Sequence, residues 1–322
     1  FISKLGTTSL AAVALAFPVI MLTQQMAFGA LGGAVTSSIA RSLGAEDKER
    51  AEKLLWHSLL LSCCGYLLFF LVFFIGGESL LMALGGEGSL LEESLLYIKI
   101  FLTGAIFIWL SGTLSAALRG LGNMRFPALL MIAGSGIQVI LAGGLILGWF
   151  GFPKLGIIGA PLSAISVAAL MAIVMIFKFM HSSSNVQLKL SNLSFKKELF
   201  RDIFNVALPA SLAPIFTVGT ILILTGLVGQ FGVSALAGYG IGSRIEFLMI
   251  PLVFGIGTAM TTMVGTNIGA KKVERAERIG WLGGSFAGLF SGMIGLILII
   301  SASYWINFFA TDQATYEVTK QY

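Results

Sequence analysis

Long apolar segments follow one another along this 322-residue chain. A helix needs roughly 20 mainly apolar residues to cross the hydrocarbon core of a bilayer. Hydrophobic residues make up 57% of the chain and charged residues only 11%, whereas soluble domains carry about 25% charged residues. The sequence therefore predicts an all-α membrane protein, a polytopic helical bundle with about eight transmembrane helices. The predicted spans are residues 10–43, 54–75, 95–118, 127–150, 157–180, 203–229, 236–268 and 279–304.

Lysine and arginine are concentrated in every second connection between these spans. Basic residues mark the cytoplasmic side of membrane proteins, and the opposite connections carry mainly glutamates. We expect a multi-pass protein of the cell inner (cytoplasmic) membrane, surrounded by membrane lipids. The net charge of +5 follows from this topology, so no nucleic-acid partner is predicted. The loops predicted to be cytoplasmic are residues 44–53, 119–126, 181–201 and 270–278.

An internal repeat links the first predicted span to the seventh. The match includes charged residues, so it is more than shared hydrophobicity. Six spans separate the copies, an even number, so both copies insert with the same orientation. This arrangement predicts a pseudo-two-fold axis along the membrane normal and a substrate path between the halves. The matching segments are 32–37 (GGAVTS) with 257–262 (GTAMTT), 43–53 (LGAEDKERAEK) with 268–278 (IGAKKVERAER), and, after a one-residue slip, Leu5-Gly6 with Phe231-Gly232.

At these residues the sequence resembles the multidrug and toxic compound extrusion family. Further motifs support the resemblance, namely residues 118–123 (LRGLGN) followed by Pro127, and residues 156–160 (GIIGA). The family consists of two six-helix lobes, so the resemblance implies a fragment that lacks the first helix and the last three. The implied division is an N-lobe at 1–180 (family helices 2 to 6), a cytoplasmic linker at 181–201 and an incomplete C-lobe at 202–322 (family helices 7 to 9).

The resemblance implies a secondary active transporter, not an enzyme. Its lobes would alternate between two open states and export small organic, often cationic, compounds by antiport with H+ or Na+. Small-molecule substrates are the expected partners of a monomer, and no cofactor or metal is expected beyond the coupling ion. The alternative is a lipid-linked oligosaccharide flippase of the same superfamily, which should carry several basic residues inside its spans, where only Arg244 qualifies. An integral membrane enzyme or a structural partner is the third class, but no cluster of acids or histidines stands out.

Coupling to an ion requires an ionisable group inside the membrane, where such groups are rare and functional by default. Arg244 and Glu246 are the only charges well within a predicted span. They lie two positions apart on one helix and therefore point to different faces. Glu246 is the cation-coupling candidate, and its alternative is a carboxylate that reaches water at the outer surface. Arg244 is a candidate for the substrate cavity or for an anchor at that surface.

The sequence departs from its family at the expected cation site. Many prokaryotic members carry an aspartate in the first helix and an Asn-x-x-x-Asp pair in the fifth, but Gln138 and Ala142 occupy the pair here. The seventh-helix glutamate of other branches has only uncharged counterparts here, near Thr217, which is a candidate for the substrate cavity. Side-chain amides within spans must find partners in protein or water, so Gln24, Gln25 and Gln138 are predicted either to line the cavity or to bond between helices.

Other polar residues receive structural interpretations. Arg119, Asn123 and Arg125 are interpreted as a structured cytoplasmic turn. His57 follows a tryptophan at a span boundary and is interpreted as an interfacial residue, with proton relay as the lesser possibility.

Overall fold

A computed structural model describes residues 1–181, 186–188, 195–309 and 313–321. Every regular element in these ranges is helical, and eight candidate spans are long and apolar enough to cross a membrane. The predicted all-α membrane fold is confirmed. The first span, Thr7–Gly44, consists of α1, a π-helical segment and α2. The elements are α1 (Thr7–Gln24), the π segment (Gln25–Leu31), α2 (Gly32–Gly44), α3 (Lys48–Ala83), α4 (Gly88–Gly120), α5 (Arg125–Leu147), α6 (Gly159–His181), α7 (Lys197–Gly229), α8 (Val233–Gly269), α9 (Val273–Phe309) and α10 (Gln313–Gln321).

Helix α4 is the most buried span and lies at the centre of the first six helices, against α1, α2, α3 and α6. Small residues allow this close packing, because they let helix backbones approach each other in a membrane. A Cβ atom on Gly112 would lie 3.2 Å from the carbonyl oxygen of Ala27, and one on Gly120 would lie 2.9 Å from that of Thr36. The first span therefore packs tightly along α4.

We call the membrane face with the predicted loops 44–53, 119–126, 181–201 and 270–278 the basic face. Capped turns join helices there. The opposite face is the acidic face. At the start of α3, the Asp47 side chain accepts a hydrogen bond from the backbone N–H of Arg50 at 2.8 Å. At the start of α5, Asn123 Oδ1 accepts from the backbone N–H of Phe126 at 3.1 Å. Such side-chain acceptors satisfy the unpaired N–H groups at helix starts.

The two copies of the repeat share the same backbone geometry. Glu46 and Lys271 occupy equivalent positions, and both have a φ of 59°, which is uncommon for residues other than glycine. The hydrogen bond from Asp47 N to Ser42 O is 2.9 Å long, and its counterpart from Lys272 N to Asn267 O is 2.8 Å long. The matched sequences thus fold into matched turns at the basic face.

The π segment accounts for the one-residue slip between the copies. The segment from Gly6 to Gly44 in the first copy is one residue longer than the segment from Gly232 to Gly269 in the second. Helix α8 is α-helical throughout, whereas the first copy contains the π segment. Since a π turn closes its hydrogen bond one residue further along the chain than an α turn, it absorbs the extra residue while both ends stay in register.

Part of the predicted linker docks on α3, whereas its residues 182–185 and 189–194 lie outside the described residues. The backbone N–H of Lys196 donates to His57 Nε2 at 3.0 Å. His57 Nδ1 lies 2.7 Å from the carbonyl oxygen of Lys53, so Nδ1 donates to this oxygen while Nε2 accepts from Lys196. His57 is fully buried, unlike the interfacial residue of the sequence interpretation, because the described end of the linker and Phe200 cover it.

Helix α7 packs most closely against the π segment and α2, and to a lesser, equal extent against α3 and α8. It thus joins the first six helices closely to the second half of the chain. The lobe boundaries at 1–180, 181–201 and 202–322 remain a prediction.

Candidate functional site

Two glycines form a reciprocal contact between α2 and α8 at the basic face. A Cβ atom on Gly44 would lie 1.9 Å from the carbonyl oxygen of Thr266, and one on Gly269 would lie 1.9 Å from that of Arg41. Gly44 corresponds to Gly269 in the repeat, and Arg41 corresponds to Thr266. The two contacts are therefore the same contact seen from either side of the pseudo-two-fold axis. Such approaches bring Cα–H groups against carbonyl oxygens, as at other close helix crossings.

An ionic contact lies next to the glycines. Arg41 Nη2 lies 2.7 Å from Asp202 Oδ1, and Arg50 Nη2 lies 3.1 Å from Asp202 Oδ2. Asp202 belongs to α7, so this carboxylate joins the second half of the chain to the end of α2 and the start of α3. Arg41 Nη1 also donates to Ser37 Oγ at 2.6 Å. A cavity of about 430 Å³ adjoins this cluster, lined by Ser37, Arg41, Gly257, Met260, Thr261, Val264, Gly265 and Ile268.

Helix α8 separates from the first span toward the acidic face. Among the described residues, α8 packs extensively along α2 but makes few contacts with α1. One of these is an edge contact between the rings of Phe17 and Phe247, whose centroids are 6.3 Å apart. Helix α8 is therefore closed against the first span at the basic face and diverges from it beyond its middle, whereas α7 stays in contact with the π segment and α1.

Arg119 lies inside the closed contact. Arg119 is only 7% exposed. Its Nη1 atom donates to Ser115 Oγ at 2.7 Å. Its guanidinium carbon lies 6.0 Å from the centroid of the Phe254 ring of α8. Thr262 Oγ1, also of α8, donates to the carbonyl oxygen of Arg119 at 3.0 Å. The residue thus touches both halves of the chain.

Sequence reasoning placed Arg119 in an external turn and missed this position. The available signal was its place as the last residue before the glycine that ends α4. Side chains of an α-helix tilt toward its N-terminus, and the N-terminus of α4 is at the acidic face. The long side chain of Arg119 therefore extends back into the bundle, while Arg125, at the start of α5, is exposed.

The predicted amide residues are not brought together. Gln24 is exposed and Gln25 is partly buried, and Gln25 Nε2 is buried without a hydrogen-bond partner. Both lie where α1 meets the π segment. Gln138 is exposed on α5, a helix that packs mainly against α6, so it does not share a surface with the contact between α2 and α8.

The remaining candidates lie on α7 and α8. Thr217 is exposed on α7, and Arg244 is exposed on α8. Glu246 lies two residues further along α8, but its side chain is outside the described part of the structure. Whether these residues bind an ion or a substrate remains a prediction.

Taken together, the spans, the repeat and the reciprocal contact define a multi-pass helical membrane protein built from two similarly oriented halves. The sequence model of the MatE family matches residues 1–143 and 209–322, and the chain belongs to this family. Its members are transporters, so the chain is a transporter and not an enzyme.

Known proteins resemble the chain over nearly its whole length. It is 26% identical over 327 residues to the probable multidrug resistance protein NorM of Thermotoga maritima, with 99% of this chain and 68% of the relative covered. It is also 26% identical over 327 residues to the FAD transporter of Shewanella oneidensis, with 98% of this chain and 70% of the relative covered. The predicted loss of a first helix and of three last helices remains a prediction.

A solved structure confirms the fold. It shows the outward-facing conformation of a multidrug resistance MATE family transporter of the MOP superfamily. The match has a TM-score of 0.89 at 26% identity and covers 99% of this chain and 71% of that one.

Proposed function

We propose that this chain forms part of a secondary active exporter of small organic, often cationic, compounds. The reciprocal glycine contact carries the proposal, because it closes α8 against the first span at one membrane face while the two diverge toward the other. A ligand between the halves would then reach only one side of the membrane at a time. The names of the relatives, for multidrug resistance and for FAD transport, support a small organic solute but not one particular charge.

The proposed orientation places the basic face on the cytoplasmic side of the cell inner membrane. The distribution of lysine and arginine supports it. It is tested with single cysteines at Lys48 and Glu87 in a Cys63→Ser, Cys64→Ser background. A membrane-impermeant maleimide added to intact cells should label the cysteine at 87 and spare the one at 48, and inverted vesicles should show the opposite. Labelling at 48 in intact cells would refute the orientation.

The proposed energy source is antiport with H+ or Na+. Glu246 is the coupling candidate because it combines an ionisable group with a position inside the apolar part of α8. Glu246→Gln should abolish the dependence of export on the coupling gradient. Glu317→Gln, on α10 outside the spans, is the matched control.

The decisive experiment measures export of fluorescent cations from cells that express the protein, with the proton and sodium gradients collapsed separately. Export should stop when one of the two gradients is removed. Cells that carry an empty vector give the background. If no tested cation leaves the cells faster than this background, or if collapse of both gradients has no effect, the proposal is refuted.

A further inference from the structure

Arg119 carries two nitrogen atoms whose N–H groups no described residue satisfies. Its Nε and Nη2 atoms are buried without a hydrogen-bond partner, while Nη1 is held by Ser115. None of the ion pairs in the described residues involves Arg119. A buried charge without a counter-charge is strongly disfavoured, and such a residue in a membrane protein indicates a functional site.

The unsatisfied atoms form one edge of the guanidinium group. The Nε–H and Nη2–H bonds point in parallel, which is the geometry that arginine uses to hold two oxygens of a carboxylate or phosphate. The bond from Nη1 to Ser115 fixes the opposite edge, so the free edge is already oriented. Gly32 of α2 packs beside it, since a Cβ atom there would lie 3.8 Å from Nη2, at van der Waals distance.

Part of the contact around Arg119 comes from the other half of the chain. Phe254 of α8 lies against the guanidinium, with its ring centroid 6.0 Å from the guanidinium carbon, and Thr262 of α8 donates to the backbone carbonyl of Arg119. Helix α8 is also the helix that meets α2 through the reciprocal glycine contact. If α8 moves away from α2 at the basic face, Phe254 therefore leaves the guanidinium, and that side of the group becomes accessible.

We propose that Arg119 binds an anionic group of the transported compound: a carboxylate, a sulfonate or a phosphate. The inference rests on the proposed function and deepens it, because it makes zwitterionic and anionic amphiphiles substrates alongside cations. With the basic face open, the free edge of the guanidinium holds the anionic group. When the halves close, Phe254 of α8 returns against the guanidinium and the anionic group leaves. Affinity thus differs between the two states, which transport by alternating states requires.

The test compares two dyes that differ by one carboxylate, a cationic rhodamine ester and the free acid of the same dye. Binding to the purified protein is followed by fluorescence anisotropy. The wild-type protein should bind the free acid more tightly than the ester. Arg119→Gln should weaken binding of the free acid about tenfold, as expected for loss of a charge-assisted hydrogen bond, and should change binding of the ester less than about twofold.

Two further variants make the result specific. Arg119→Lys keeps the charge but not the parallel N–H groups, so binding of the free acid should fall between wild type and Arg119→Gln. This variant carries the test if Arg119→Gln does not fold. Arg125→Gln removes an exposed arginine from the neighbouring helix and should leave binding of both dyes unchanged.

The inference is overturned if the wild-type protein binds the free acid no more tightly than the ester. Equal binding of the free acid by the wild type and by the Arg119 variants overturns it too. The proposed function is judged separately, by gradient-dependent export of the ester from cells. Export of the ester without selective binding of the free acid would leave the exporter proposal standing and remove only the role of Arg119.

Discussion

A single methyl group at the reciprocal contact should open the basic face. We consider Gly44→Ala and Gly269→Ala. Neither glycine has a positive φ, so alanine suits the backbone and only the contact opposes it. The added carbon would lie 1.9 Å from a carbonyl oxygen, whereas C···O contacts in proteins are about 3.3 Å. Helices α2 and α8 must therefore separate by about 1.4 Å at this point, given that contact distance.

The cost follows from similar overpacking in protein interiors. Extra methylene groups in a well-packed region cost about 1 to 3 kcal/mol. The cost applies only to the closed state, because the contact is absent when the halves separate. The equilibrium between closed and open forms should therefore shift toward the open form by about 5-fold to 150-fold. Both variants should give a similar shift, because the repeat makes the two contacts equivalent.

Spin labels measure this shift directly. Cysteines replace Lys48 and Val273, the first residues of α3 and α9, in a protein without Cys63 and Cys64. The distribution of distances between the labels should move to longer values in either alanine variant. Gly257→Ala is the matched control, because it lies on α8 and a Cβ atom there would meet no atom within 4 Å. Equal distributions in Gly44→Ala and Gly257→Ala would refute the reasoning.

Three further predictions concern the same face and the first span. Asp202→Asn removes the charge that holds Arg41, and since the pair is partly exposed we expect a loss of stability of only about 1 kcal/mol, measured by thermal unfolding in detergent. His57→Phe leaves the N–H of Lys196 unpaired and should cost about 1 to 2 kcal/mol in the same assay. Deletion of Phe28 should convert the π segment to a regular α-helix, leaving a folded protein that no longer exports its substrate.

Controls separate these effects from general damage. Glu198→Gln changes an exposed carboxylate near the start of α7. This variant should leave the melting temperature unchanged, whereas Asp202→Asn should lower it. A melting temperature for His57→Phe equal to that of the wild type would contradict the buried hydrogen bonds of this ring. For the deletion, normal export would contradict a functional role of the π segment, while the elution profile on size exclusion reports whether the variant folds.

The spans and the repeat could be predicted because both are visible in the sequence itself. Apolar length alone gives a membrane span, and the matched residues 43–53 and 268–278 give the orientation of the copies. The contact between Gly44 and Thr266 could not be predicted, since it depends on how α2 and α8 cross. The sequence marks these glycines as turns, and only the packing shows that they have no room for a side chain.

Site residues were harder to predict for a different reason. Hydropathy identifies polar residues in apolar segments, such as Gln138, but not the face of the helix on which they lie, and Gln138 is exposed on α5. Hydropathy also overlooks a polar residue that lies at the end of a span. Arg119 was assigned to a loop because it lies next to one in sequence, whereas the tilt of its side chain takes it into the contact between the halves.

The two halves are related by the repeat, but they differ where a ligand or an ion would bind. At the basic face, the glycine contacts are reciprocal and supply a symmetrical closure. Further into the membrane, the first copy contains the π segment with Gln25, while the second is a regular helix that carries Arg244 and Glu246. π segments are frequent at functional sites, and Gln25 Nε2 is buried there without a partner. The symmetrical residues therefore suit the movement between two states, and the unsymmetrical residues suit the chemistry that gives the movement its direction.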